Sequence, residues 1–455
     1  MKQAIVVQAP LRRMNFCAKS TMRFLRYLPR FRRARRALAD YEQRESWSRA
    51  QIDAYQLERL NALWQRATER VPYYRELARQ FKLPEKFRNL EEFRNCIPVL
   101  DKGQVRDDPD RFLSADAPGG RWHLTGGSTG IPTRIFWPYR AHGESLWARY
   151  RCEAMWGVDL FVRRAMLWGH AASFAPGWAG KLARIRQPWE DRLRSRLRLS
   201  AYRLGPEDLN AYLGQIERFQ PALLYGYSSA VALLAREARL QSRNCPSLRL
   251  CMLSGEPAFP EMIQDIELAF RAPAVIEYGS METGIMANEW PDRTLRVRDD
   301  IVLVETVSRD DGHYDIIASV LVNFAFPLLR YAIGDVTNAP LRVPERGFAI
   351  LDQVMGRKND MLRSSQGRLV HSLGVKHVFE HYRGVRRFSA HQDSTGRLTV
   401  LLEADAGGHN VDLADAAGKL ERLLGGFPVT IQEVECIPNT RAGKHRWVAS
   451  DLVAP

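Results

Sequence analysis

Apolar residues between Trp47 and Arg79 recur at helical spacing (Leu57, Leu60, Leu63, Trp64, Ala67), which predicts a helical entry that Pro72 stops or restarts. Between about residues 120 and 350 the rhythm changes. Short β-rich runs at 222–224, 248–253 and 274–278 alternate with helical stretches at 229–240 and 260–270. Strands alternating with helices of this length predict βαβ units and a mostly parallel sheet, whose ligands sit at the carboxyl ends of the strands. After Gly356 shorter elements follow, with a strand at 398–403, a helix at 412–424 and a strand at 429–436. About 95 residues suffice for a small α+β unit. The expected organisation is a basic arm over 1–44, a large α/β domain over 45–357 and a small mobile α+β domain over 358–455.

Composition fits that reading: 455 residues, 45% hydrophobic and 10% aromatic, exceed one typical core and suit a folded chain of two or three units. No apolar run reaches 18 residues, and the stretch 4–7 is too short for a signal-peptide core, so a cytoplasmic protein is expected. The six cysteines are scattered without C-x-x-C spacing, which suggests neither a disulfide framework nor a zinc knuckle. The net charge of +15 is local. Residues 1–39 hold 11 Lys and Arg and no acid, and residues 181–203 hold eight against two; the remainder is nearly balanced, 48 basic to 50 acidic. The first segment interleaves Arg23, Arg26, Arg30, Arg32 and Arg33 with Phe24, Leu25, Tyr27, Leu28 and Phe31, as an arm on an anionic membrane surface would. A solvated helix face has the same composition, and Pro29 divides the stretch. No nucleic-acid motif accompanies the charge, so no nucleic-acid partner is expected.

The strongest candidate chemistry is Thr125-Gly126-Gly127-Ser128-Thr129-Gly130. Three glycines and three hydroxyls in six residues can surround phosphate oxygens with backbone N–H and side-chain O–H groups, although a plain Gly/Ser hairpin reads alike. It lacks the Gly-Lys-Ser/Thr of a Walker A loop. Further segments follow in order: Ser254-Gly255-Glu256-Pro257, Tyr278-Gly279-Ser280-Met281-Glu282-Thr283-Gly284, Arg330-Tyr331-Ala332-Ile333-Gly334-Asp335, Gly356-Arg357-Lys358-Asn359-Asp360 and Ala442-Gly443-Lys444-His445-Arg446.

In these segments and their order the chain resembles the adenylate-forming superfamily of acyl-CoA synthetases, adenylation domains and luciferases. Within it, the chain is similar to the phenylacetate-CoA ligase family, including the branch associated with capsular polysaccharide synthesis. Val71-Pro72-Tyr73-Tyr74-Arg75 and Leu224-Tyr225-Gly226-Tyr227-Ser228-Ser229 carry the likeness to that branch, and the whole resemblance spans roughly residues 45 to 450.

The resemblance implies a large domain with mostly parallel sheets, a small mobile C-terminal domain, and formation of an acyl-adenylate from a small carboxylic acid and Mg-ATP. Coenzyme A is the implied acceptor. Thr125, Gly126, Gly127, Ser128, Thr129 and Gly130 would hold the ATP phosphates, and Gly255, Glu256 and Pro257 would line the adenine. Tyr278 would stack on adenine beside Gly279 and Ser280, and Glu282 would bind Mg²⁺. Asp335 would accept from the ribose hydroxyls, with Arg357 nearby. Lys444 would be carried in by the small domain as the catalytic cation. Trp168, His170, Tyr225 and Tyr227 would line the acyl pocket. The chain departs from the family at Met281, where a hydroxyl residue is usual, and at Asn359, where a second acid is common near the hinge. Some relatives carry a Cys/His metal site where this chain reads Asn288-Glu289-Trp290-Pro291-Asp292, so no structural zinc is expected. Two other readings stay open: a nucleotide-binding scaffold in polysaccharide assembly, catalytically weakened at Met281, or an adenylating enzyme with an amine or sugar acceptor.

Overall fold

The computed structural model describes residues 29–125, 133–160, 162–169, 189–192, 194–202, 204–357, 361–367, 369–371, 384–404, 410–439 and 445–452, with a few single positions between them. The helical entry comprises α1 (Pro29–Arg44), α2 (Arg49–Arg70), α3 (Pro72–Gln80), α4 (Leu90–Cys96) and α5 (Lys102–Asp107). Ser48 caps α2 through a reciprocal pair with Gln51, and Ile52, Leu60, Leu63, Trp64 and Ala67 bury one stripe of it. Pro72 opens α3, where a missing N–H costs nothing.

Pro29 likewise stands first in α1 rather than inside it. The end of that helix is fastened to the large domain. Tyr41 is buried and donates to the Glu144 carbonyl (3.2 Å), and the Arg298 guanidinium lies 5.1 Å from its ring. Just beyond the helix, Glu45 receives Arg151 (2.7 Å) and the fully buried Arg298 (3.2 Å). The last part of the segment read as a basic arm is therefore anchored, while residues 1–28 lie outside the described residues.

A hairpin of β1 (Gly120–Leu124) and β2 (Arg134–Pro138) precedes α6 (Tyr139–Met155). Then come β3 (Arg164–Trp168), β4 (Arg196–Ser200), α7 (Pro206–Phe219), β5 (Leu223–Tyr227), α8 (Ser228–Leu240), β6 (Leu250–Ser254), α9 (Pro260–Phe270) and β7 (Ala274–Ser280). Strands β4, β3, β5, β6 and β7 lie side by side in parallel, as the alternation predicts. All five residues of β5 and of β6 are buried, which is the continuous apolar run expected of a strand covered on both faces. The same sheet continues antiparallel through β8 (Gly284–Glu289), β9 (Leu295–Val297) and, across β9, β13 (Ile350–Leu351). Beside it β10 (Val302–Ser308), β11 (Tyr314–Val320), β12 (Tyr331–Thr337) and β14 (Val354–Arg357) form an antiparallel sheet that shares one apolar core with the helical entry.

The last domain has a hairpin of β15 (Met361–Arg363) and β16 (Leu369–His371), then β17 (Val385–Gln392), β18 (Leu398–Ala404), α10 (Leu413–Leu423), β19 (Val429–Val434) and β20 (Val448–Ser450) around a core of its own. It docks on the parallel edge of the large domain. Asn439 donates to the Ala201 carbonyl (2.7 Å), Arg236 to that of Val385 (2.8 Å) and Arg386 to that of Leu204. Among the described residues no helix is long and apolar enough to cross a membrane.

Candidate active site

The carboxyl ends of β3, β5, β6 and β7 open into a cleft of about 750 Å³. Its walls include Thr125, Trp168, Tyr225, Tyr227, Gly255, Glu256, Pro257, Tyr278, Gly279, Ser280, Glu282 and Asp335, residues from six separate stretches of sequence. The fold thus gathers the candidate residues at one place. Gly126, Gly127, Ser128, Thr129, Gly130, His170, Asn359 and Lys444 lie outside the described residues.

Thr125 and Thr133, which flank residues 126–132 between β1 and β2, are tied to each other. Thr125 donates its N–H to the Thr133 carbonyl and accepts the Thr133 N–H on Oγ1, both at 3.0 Å. His123 and His142 stack at the same end of the cleft with ring centroids 5.8 Å apart. Burial, then neighbouring cations, holds both imidazoles below their ordinary pKa, which keeps them neutral near pH 7.

The turn after β7 is built tightly. Ser280 Oγ accepts the Thr283 N–H (3.1 Å) and lies 3.0 Å from its Oγ1, so the hydroxyl that could stand in at Met281 is engaged within the turn. Met281 itself is 47% exposed, and its carbonyl accepts from Trp137 Nε1 (2.9 Å). A Cβ at Gly279 would sit 2.2 Å from the Gly284 carbonyl oxygen, so only glycine lets the two strands approach here. Glu282 is buried, and the ammonium of Lys102 at the start of α5 lies 2.7 Å from its Oε1. Across the cleft Tyr278 donates its hydroxyl to Asp335 Oδ2 (2.9 Å). Arg357 faces Asp335 in the β12–β14 ladder.

Glu256 joins the domains. Its Oε2 accepts from Ser229 N–H (3.0 Å) and Oγ (2.6 Å) at the start of α8, and its Oε1 accepts the His445 main-chain N–H (2.7 Å) from the small domain. Phe259 and Trp447 meet edge to face beside this contact at 6.2 Å. Trp168 stacks on Tyr225 and Tyr227 at 5.1 and 4.0 Å.

Three wall residues absent from the motif reading, His142, Ser145 and Arg149, line the cleft from one face of α6. Their i, i+3, i+7 spacing after the Gly-rich loop is the signal for them: a helix face that should be apolar carries imidazole, hydroxyl and guanidinium instead. Lys102 left no comparable signal, lying 180 positions from Glu282 in a short basic-acidic stretch.

No family model matches the chain. Among curated proteins it is 23% identical over 292 residues to Protein CapK of Staphylococcus aureus, a match taking in 62% of each chain, so the shared stretch spans less than two thirds of that relative. Among solved structures it is similar to 2-hydroxyisobutyryl-CoA ligase in the postadenylation state with 2-HIB-AMP, at 20% identity, covering 90% of this chain and 92% of that one with a TM-score of 0.69. The complex with R3-HIB-AMP gives 0.70 at the same identity and coverage. The fold is that of the adenylate-forming ligases. The same enzyme in its thioesterification state, with 2-HIB-AMP and CoA, gives 0.59, again at 20% identity and over 90% and 92% of the two chains.

Proposed function

We propose that the chain is an AMP-forming carboxylate ligase: it joins a small carboxylic acid to AMP from ATP, releasing pyrophosphate, and passes the acyl group to coenzyme A. The observation that carries this reading is the cleft itself, where Thr125, the 255–257 turn, Tyr278, Glu282 and Asp335 converge at the ends of parallel strands with the small domain docked on the rim. In the first half-reaction a carboxylate oxygen attacks the α-phosphorus and the bond to pyrophosphate breaks. In the second, a thiolate attacks the acyl carbon and AMP leaves.

Charge builds on both phosphate groups, so cationic and N–H donors held in place are the main help a protein can give. We assign this to the Gly-rich loop and to Lys444, the residue preceding His445. Mg²⁺ binds mainly through phosphates and asks few protein ligands, and the buried carboxylate of Glu282 suits that demand. When bound, the ion would neutralise the departing pyrophosphate. Tyr278 and Asp335 would hold adenine and ribose, and Trp168, Tyr225 and Tyr227 the acyl group. Likeness to the phenylacetate-CoA ligases and to CapK supports the finer subtype and a role in capsular polysaccharide synthesis.

Acid-dependent ATP–pyrophosphate exchange tests the reading. Exchange is expected with at least one small acid, and Lys444→Ala should slow it by roughly 100-fold or more while ATP still binds. Exchange unaffected in that variant removes the mechanism. A second reading, a nucleotide-binding scaffold, is favoured by exposed Met281 and by Ser280 being held by Thr283. If the parent binds ATP without exchange and Met281→Thr creates it, the scaffold reading stands.

A further inference from the structure

One part of the cleft wall carries an ion pair where an aryl or fatty acid would want an apolar surface. Arg149 reaches from α6 to the carboxylate of Glu277 on β7, with Nε 2.6 Å from Oε2 and Nη2 2.8 Å from Oε1. Nη2 also contacts the Tyr225 hydroxyl (3.0 Å), and the guanidinium lies 4.5 Å from the Tyr225 ring centroid. Glu277 Oε1 accepts in addition from Tyr225 Oη (3.0 Å) and Ser254 Oγ (3.3 Å). The buried carboxylate is fully occupied.

The guanidinium is not. Its third nitrogen, Nη1, makes no hydrogen bond among the described residues, while the Arg149 side chain keeps 21% of its surface open in a wall of the cleft. Two N–H groups are therefore available to whatever enters. Trp168, stacked on Tyr225 and Tyr227, makes the neighbouring wall flat and stiff.

An apolar group packed against Nη1 would strip its water and return nothing, a cost of about 1–3 kcal/mol. Glu277 already balances the guanidinium charge, so a neutral oxygen suffices, whereas a second carboxylate would bring an unbalanced charge. Resting on the proposed adenylation reading, we infer that the substrate is a carboxylic acid bearing a hydroxyl or carbonyl oxygen beyond its carboxylate. That oxygen accepts a hydrogen bond from Arg149 Nη1, and Arg149 determines specificity against unsubstituted fatty and aryl acids.

Matched acids test this: butanoate with its 3- and 4-hydroxy and 3-keto forms, and phenylacetate with its hydroxy forms. In pyrophosphate exchange the full chain should favour an oxygenated member by roughly 10- to 100-fold in kcat/KM. The double variant Arg149→Met/Glu277→Gln, which leaves no unpaired buried charge, should erase the preference. Arg149→Lys, which keeps the charge opposite Glu277 but loses the second arm of the fork, should reduce it and serves if the double variant does not fold. Equal use of the unsubstituted member in every set overturns the inference, as does a preference unchanged in both variants. Exchange with none of the acids fails the adenylation reading instead. Calorimetry of the same acids with AMP present then decides the pocket: binding of an oxygenated member alone supports it, and equal binding or none overturns it.

Discussion

Glu282, proposed to hold Mg²⁺, is paired with a cation far away in the sequence. Its carboxylate is buried, and the ammonium of Lys102 lies 2.7 Å away at 27% side-chain exposure. The cation offsets the burial of the anion, and in the proposed mechanism its partial exposure would let it give way to Mg²⁺. Lys102→Met removes the cation 2.7 Å from a buried carboxylate and should cost about 2 kcal/mol or more, read as a lower urea midpoint. An unchanged midpoint would mean that other contacts carry Glu282. The acidic half of this pair was legible because it ends a recognisable run, Tyr278 to Glu282. The basic half was not, since pairing across 180 positions is set by packing and no local pattern records it. Arg149 differs in having left the polar spacing of His142 and Ser145 on one helix face, yet a guanidinium on a helix reads as a solvent-facing charge until the neighbouring sheet is in place.

At the level of elements, the parallel strands were legible because a strand covered on both faces must be apolar throughout, and turn chemistry brackets each one. Strand β5 nevertheless runs on to Tyr227, past the expected end at 224, because Tyr225 and Tyr227 are themselves buried. Strands β8 to β14 were harder to read. Their partners are set by long-range register, and two of the three ladders of the antiparallel sheet contain bulges. Helix α1 falls in the segment read as a basic arm, and Tyr41 ties its end to α6. Tyr41→Phe removes one hydrogen bond and should cost about 1 kcal/mol, whereas Tyr41→Ala also opens a cavity and should cost about 3 kcal/mol. Denaturation of both variants checks the ordering. Equal small effects would mean that α1 is dispensable to the large domain.

For the whole molecule, the two domains meet where the chemistry is proposed to occur, and the contact has a pH limit built into it. His445 is buried, its Nε2 lies 2.8 Å from the Phe388 carbonyl, and its Nδ1 has no hydrogen-bond partner among the described residues. Burial first, and then Arg387, pushes its pKa from 6.5 down to about 3. A depressed histidine remains neutral in the folded chain while the unfolded chain takes up a proton below about pH 6.5. Stability therefore falls as the pH drops through 6.5 and levels off only near 3. The loss should be about 2 kcal/mol between pH 7 and 5. His445→Gln should flatten that part of the profile in denaturation measured against pH, and a slope equal to the parent's would assign the effect elsewhere.

The bond from His445 to Glu256 comes from the main chain, so it does not depend on which side chain position 445 carries. Every replacement there except proline keeps the donor. Loss of the buried imidazole and loss of the domain contact are therefore separable: the first follows from the side chain, the second only from a change that removes or moves the amide.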